Sequence, residues 1–142
     1  MSDISIFTDG GSRGNPGHAA LGVFIEDSNH KVLARIGRRI GVATNNVAEY
    51  SAIIEALTWA LKNKEKLGIK SINFYMDSLL AFSQISGIYK IKNQRIREFI
   101  FEIRKKEAEL DIPIRYSHIP REKNKEADLM VNLALDNKLF EI

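Results

Sequence analysis

Four carboxylates fall at points where the apolar patterning of the chain changes. Asp9 follows the β-prone run Ile4 to Phe7 and leads into Gly10-Gly11-Ser12-Arg13-Gly14-Asn15-Pro16-Gly17. Asp77 follows a second such run, Ser71 to Met76, in which Ile72, Phe74 and Met76 alternate with Asn73 and Tyr75. Glu49 lies in the first turn of a helical segment opened by Thr44-Asn45-Asn46, on the side widened by Ile53, Ala56 and Ala60. Asp128, Val131, Leu135 and Leu139 follow at spacings of three, four and four, so this acid shares a helix side with apolar residues, an unusual place for an unpaired charge. Taken singly, each has a plain structural reading: a hairpin loop at Asp9-Gly10-Gly11, a complement to the helix dipole at Glu49, a helix cap at Asp77-Ser78. Taken together they describe a metal site. Like charges about 4 Å apart repel by about 4 kcal/mol at an effective dielectric of about 20, so such a cluster needs protons or cations. All-oxygen donors, with no cysteine and one nearby histidine, His118, favour Mg²⁺ or Mn²⁺ over zinc. Two such ions about 4 Å apart can activate a water and stabilise the leaving oxygen of a phosphodiester.

These acids need a sheet to bring them together. Side chains alternate along a strand, which puts Ser5, Phe7 and Asp9 on one face and Ile4, Ile6 and Thr8 on the other. Asp9 is then expected at the C-terminal end of the first strand, where open α/β sheets bind ligands, with a glycine-rich turn after it. Ala19 to Glu26 and Val32 to Ile40 read as the next two strands, joined through Asp27-Ser28-Asn29-His30, which makes an antiparallel meander. Arg35, Arg38 and Arg39 on its outer strand discourage edge pairing. A helix follows to about Lys64, with Val47, Tyr50, Ile54, Leu57 and Leu61 as its core-facing stripe. Returning from a helix, Ser71 to Met76 pairs parallel with the first strand through a right-handed crossover. A short helix (Leu79 to Ser86), a bend (Gly87 to Lys92) and a helix capped by Asn93 and ending near Leu110 come next. In that helix Ile96, Phe99, Ile100 and Ile103 are expected inside, with Arg97 and Arg104 to Lys106 in solvent. A fifth strand, Ile114 to Ile119, precedes a last helix from Lys125 to Leu139 with Asn124 as its cap. The predicted class is α/β: a five-stranded mixed sheet, three strands antiparallel and two further strands parallel to the first, with helices on both faces.

At 142 residues, 44% hydrophobic and 27% charged, the chain reads as a single domain over 1–142 with a real core. No apolar stretch approaches a membrane span, no leader pattern opens the chain, and cysteine is absent, so a cytoplasmic monomer without membrane contact is expected. The charge of +3 is concentrated in two clusters, Lys90-Lys92-Arg95-Arg97 and Arg121-Lys123-Lys125, suited to a polyanion.

Thr8 to Gly17, Thr44-Asn45-Asn46-Val47-Ala48-Glu49, Met76-Asp77-Ser78 and His118-Ile119-Pro120-Arg121-Glu122-Lys123-Asn124-Lys125-Glu126-Ala127-Asp128 resemble type 1 ribonuclease H, in the family's order and over nearly the whole chain. The resemblance implies a ribonuclease H-like fold and an endonuclease that cuts the RNA strand of an RNA/DNA hybrid, leaving 5′-phosphate and 3′-hydroxyl ends. It places Asp9, Glu49, Asp77 and Asp128 on the family's carboxylates for two Mg²⁺ ions, with Mn²⁺ as a substitute. It places His118 on the mobile-loop histidine that helps proton transfer or product release. Gly10, Ser12, Asn15 and Asn45 fall on positions that contact the RNA backbone and its 2′-hydroxyls, and Thr44 on a DNA-phosphate pocket. Three departures stand out. Leu79 replaces a base-contacting glutamine, Gly11 replaces a serine, and Ser86 to Asn93 is too short for the extra basic helix and loop of some relatives. Lys90 and Lys92 compensate in part for that helix, and hybrid affinity is expected to be weaker than in relatives that carry it. Two alternatives share the fold: a non-catalytic hybrid-binding module, and a DNA-directed relative.

Overall fold

The first strand, β1 (Asp3–Arg13), runs straight through the glycines that the sequence suggests as a turn. The turn comes later, at residues 14–16, with Gly14 in the left-handed region at φ 94°. Gly10 serves close packing instead, whereas Gly11 has room for a side chain. A Cβ on Gly10 would lie 2.2 Å from the Ala48 carbonyl carbon, and one on Gly11 would lie 3.5 Å from Val131. Asp9 is therefore in mid-strand.

The computed structural model describes residues 3–87 and 90–138. After β1 come β2 (Gly17–Asp27), β3 (Val32–Ala43), α1 (Asn45–Leu67), β4 (Ser71–Met76), α2 (Leu79–Ile85), α3 (Gln94–Leu110), β5 (Ile114–His118) and α4 (Lys125–Leu135), with a 3-10 turn at Arg121–Lys123 before α4. The sheet order is β3-β2-β1-β4-β5. β1 pairs antiparallel with β2, and β2 with β3; β4 is parallel to β1, and β5 to β4. This is the expected mixed sheet. The last helix is shorter than its apolar spacing suggests, ending at Leu135. Leu139 and, in the expected bend, Ile88 and Tyr89 lie outside the described residues.

Helices cover both faces. α1 is capped by Thr44, whose Oγ1 accepts a hydrogen bond from Val47 N, and by Gly68 in the left-handed region at φ 62°. Its buried residues include Ala52, Ile53, Ala56, Leu57 and Ala60, whereas Ile54 and Leu61 are only partly buried. The core thus lies toward the small residues that widen the expected stripe, because alanines let the helix sit close on the strands. α4 covers the other face. Gly22 and Gly37 are register partners on β2 and β3, and Cβ atoms there would lie 2.2 Å from Ala127 O and 2.5 Å from Met130 O. The paired glycines form a trough in which the α4 backbone rests. Covered from both sides, β2 is buried almost continuously from Ala19 to Ile25. α3 stacks outside α1 and buries Ile96, Ile103 and Leu110. Arg104 is not simply solvated: it pairs with Glu107 at 3.0 Å and donates to Ile85 O, tying α3 to the end of α2. Among the described residues no helix is long and apolar enough to cross a membrane.

Because backbone atoms oppose any added side chain at Gly22, Gly22→Ala should lower stability in urea unfolding, followed by circular dichroism, by about 1–3 kcal/mol. An unchanged midpoint would mean that α4 does not depend on this trough.

Candidate active site

The parallel ladder between β1 and β4 ends at the pair Thr8 and Met76, while β1 continues. Asp9 therefore borders a gap that residues from both helical layers can reach. Asp77 enters from the end of β4, and Glu49 from just beyond the first turn of α1 rather than within it as expected, its Oε1 accepting a 2.9 Å hydrogen bond from Gly10 N. That bond also explains why Gly10 must be glycine, since the same close approach brings the α1 backbone against the strand. Asp9, Glu49 and Asp77 each offer an oxygen, and all three oxygens lie within 4.8 Å of one another. Asp9 and Glu49 are only 8% and 7% exposed. Asp128, from α4, is exposed and lines the same cleft of about 500 Å³.

Three acids this close cannot all ionise without a cation. Burial, then the charges of Asp77 and Asp128, raise the Asp9 carboxyl from 3.8 to about 7. Burial and the Asp9 charge push Glu49 well above its usual range. A hydrogen bond between the two carboxyls lowers Asp9 and raises Glu49, so the pair retains a shared proton. Replacing that proton by a hard divalent ion would satisfy the same charge deficit, and three carboxylate oxygens are a fitting donor set.

The polar residues expected to meet a substrate also gather here: Gly10, Ser12, Asn15, Thr44 and Asn45 all line the cleft. Three of them are locked together. Asn45 Oδ1 accepts from Ser12 N (2.8 Å) and Ser12 Oγ (3.1 Å), while Asn45 N donates to Asn15 Oδ1 at 3.0 Å. The Asn45 amide therefore turns its Nδ2 donors away from Ser12. Arg13 and Arg121 add positive charge to the cleft wall. His118 does not join this lining. It ends β5, with Nε2 3.2 Å from the Asp77 carbonyl and its ring 6.1 Å from that of Phe82.

Asn124 departs from expectation in an instructive way. It makes no side-chain cap on α4. It is fully buried, and its Nδ2 donates to Thr8 O (2.9 Å) and to Asp77 Oδ2 (3.1 Å). One amide thus joins β1 to the carboxylate at the end of β4. An asparagine just before a helix reads as a cap in sequence, so only the tertiary contact reveals this role.

A family model described as "Reverse transcriptase-like" matches residues 7–134. The crystal structure of LC11-RNase H1 in complex with an RNA/DNA hybrid, from a protein isolated from compost by a metagenomic approach, superposes with a TM-score of 0.89 at 42% identity, covering 94% of this chain and 97% of that one. This chain belongs to the type 1 ribonuclease H family. RNase H1 of the halophilic archaeon Halobacterium salinarum superposes with a TM-score of 0.86 at 35% identity, over 95% of this chain and 98% of that one. The Ribonuclease HI of that organism is 35% identical over 94% of this chain and 65% of its own length. The "Bifunctional protein Rv2228c" of Mycobacterium tuberculosis is 38% identical over 94% of this chain, which spans 35% of that longer protein. Type 1 ribonuclease H thus accounts for the sheet order, and the family's acidic cluster is a setting for divalent metal.

The raised carboxyls have a stability signature. Between 3.8 and about 7 the folded state keeps a proton on Asp9 that the unfolded chain releases, so metal-free protein should lose stability as pH rises through that window. Thermal melts in EDTA should show this decline, and Asp9→Asn should flatten it. A parent melting temperature that rises across the window would contradict the charge cluster. Separately, Asn124→Ala should cost about 1–3 kcal/mol in denaturant melts, because Thr8 O loses a buried donor; a neutral result would remove Asn124 from the framework.

Proposed function

We propose that this chain is a metal-dependent endonuclease that hydrolyses the RNA strand of RNA/DNA hybrids, by two-metal-ion catalysis, to 5′-phosphate and 3′-hydroxyl products. The observation that carries the reading is the meeting of Asp9, Glu49 and Asp77 within 4.8 Å in a cleft that Asp128 also lines. The hybrid bound by the related LC11-RNase H1 supports the substrate class. Magnesium is the cation we assign, with manganese able to replace it, since every donor is a carboxylate oxygen. When bound, two such ions activate a water and stabilise the departing 3′-oxygen.

The chain's own groups divide the remaining work. Asp9 and Glu49 hold the buried side of the metal site, Asp77 closes it from β4, and Asp128 faces the solvent side where a phosphodiester enters. Ser12, Asn15 and Asn45 form a prearranged polar edge along which a minor groove can lie. There the 2′-hydroxyl distinguishes RNA from DNA without regard to sequence. Gly10 lets the backbone come close, and Thr44 together with Arg13 and Arg121 offers donors and charge to phosphates. All these groups come from one chain, in keeping with a monomer that acts as one domain, and we place it in the cytoplasm, where a chain without cysteine is at no disadvantage. Possession of all four acids distinguishes the reading from a non-catalytic binding module, and the Ser12–Asn45–Asn15 edge from a DNA-directed relative.

Labelled RNA/DNA hybrid, double-stranded RNA and double-stranded DNA, each with Mg²⁺, Mn²⁺ or EDTA, provide the test. Hybrid should be cut at internal positions of the RNA strand with either metal and not in EDTA. Asp9→Asn should lower kcat by a factor of at least about 10²–10³ while remaining folded. An intact hybrid with both metals would overturn the proposal.

A further inference from the structure

Asp77 sits where regular structure gives out. The β4–β5 ladder ends at the pair Met76 and His118, and α2 does not begin until Ser78 caps it through a hydrogen bond from Ala81 N. Neither ladder nor helix therefore fixes the peptide of Asp77. The segment after β5 does so. Ile119 N donates to Met76 O at 2.9 Å, His118 Nε2 lies 3.2 Å from Asp77 O, and Asn124 Nδ2 reaches Asp77 Oδ2 at 3.1 Å. A carbonyl oxygen can only accept, so His118 Nε2 carries a proton and donates it.

The orientation of the ring follows from strand alternation. Ile114, Tyr116 and His118 share the face turned to the α2–α3 layer. Tyr116 stacks on Phe74 and donates to Glu107 of α3, and His118 tilts at 42° against Phe82 of α2. Arg121 and Asp128, by contrast, line the cleft.

We propose that His118 is a positioning residue: its Nε2–H holds the Asp77 main chain, so that with Asn124 on the carboxylate, both ends of Asp77 are fixed toward Asp9 and Glu49. In this chain the imidazole is then not the group that carries a proton in the cleft. The inference rests on the metal site proposed above, but not on the identity of the substrate.

Glutamine separates the two roles, because its Nε2 amide can donate at similar reach but cannot exchange protons as an imidazole does. His118→Ala and His118→Gln are compared with the parent by calorimetric titration of Mn²⁺ into metal-free, substrate-free protein, and by hybrid cleavage over a range of Mg²⁺ concentrations. His118→Ala should bind Mn²⁺ about tenfold or more weakly, the loss typical of removing a group that orients a metal ligand, and should need correspondingly more Mg²⁺ for cleavage. His118→Gln should stay near the parent in both. Parent-like Mn²⁺ affinity in both variants, with cleavage lost equally in both, would overturn the proposal and restore a proton carrier. Should His118→Ala fail to fold, His118→Gln decides alone: retained affinity and cleavage support the positioning role, and loss of either refutes it. If the parent cuts no hybrid while alanine weakens and glutamine restores Mn²⁺ binding, the ribonuclease reading falls and this one stands.

Discussion

Mutual repulsion among Asp9, Glu49 and Asp77 is the constraint around which the rest of the structure is arranged. Carboxylates in water would separate, so keeping three of them within 4.8 Å, two of them nearly inaccessible, requires a rigid frame. Two fixed donors meet the cluster from the protein side, Gly10 N on Glu49 and Asn124 Nδ2 on Asp77. They offset only part of the charge. Burial first and the remaining repulsion second raise the Asp9 and Glu49 carboxyls, a deficit that protons or a divalent cation can meet. Stability is thereby given up at the one place where a polyanion's phosphate can be drawn in.

The frame depends on backbones approaching more closely than side chains permit. Gly10 admits the first turn of α1 to one face of β1, while Gly22 and Gly37 admit α4 to the other face. With both helical layers seated this near, acids carried by α1 and α4 reach the same strand edge. The early end of β4 opens the gap in which they meet. A sheet with larger residues at these three positions would hold its helices farther off and keep its carboxylates apart.

Beside the acids lies a second preorganised surface. The Ser12–Asn45–Asn15 hydrogen bonds join the β1–β2 hairpin to the N-terminus of α1, the helix that carries Glu49. The Ser12–Asn45–Asn15 bonds and the Asp9 and Glu49 carboxylates are thus mounted on the same two elements, the β1–β2 hairpin and α1. In the function proposed above, a duplex seated against one would be registered against the other, so the strand type could be chosen without reading bases.

Much of this was legible in the chain itself. Period-two alternation put Ile4, Ile6 and Thr8 on one face, and all three are buried; the Ser71–Met76 strand has the expected bounds, and the Thr44, Ser78 and Asn93 caps hold their helices as their types suggest. These are local features, governed by propensity and capping within a few residues. Motifs far apart in sequence also singled out the four carboxylates, although Asp9, expected at the end of its strand, stands within β1. What the sequence alone could not decide depends on distant partners. Gly10 looks like a turn residue until the helix it accommodates is known. Asn124 looks like a cap until Thr8 and Asp77, distant in the chain, are found beside its amide. His118, ten positions before Asp128, seems to share its cleft until strand alternation turns the ring toward Phe82. Chemistry was written in residue types and spacing, but whether a glycine turns or packs, and which way a polar side chain faces, was settled only when elements distant in sequence came within hydrogen-bonding reach.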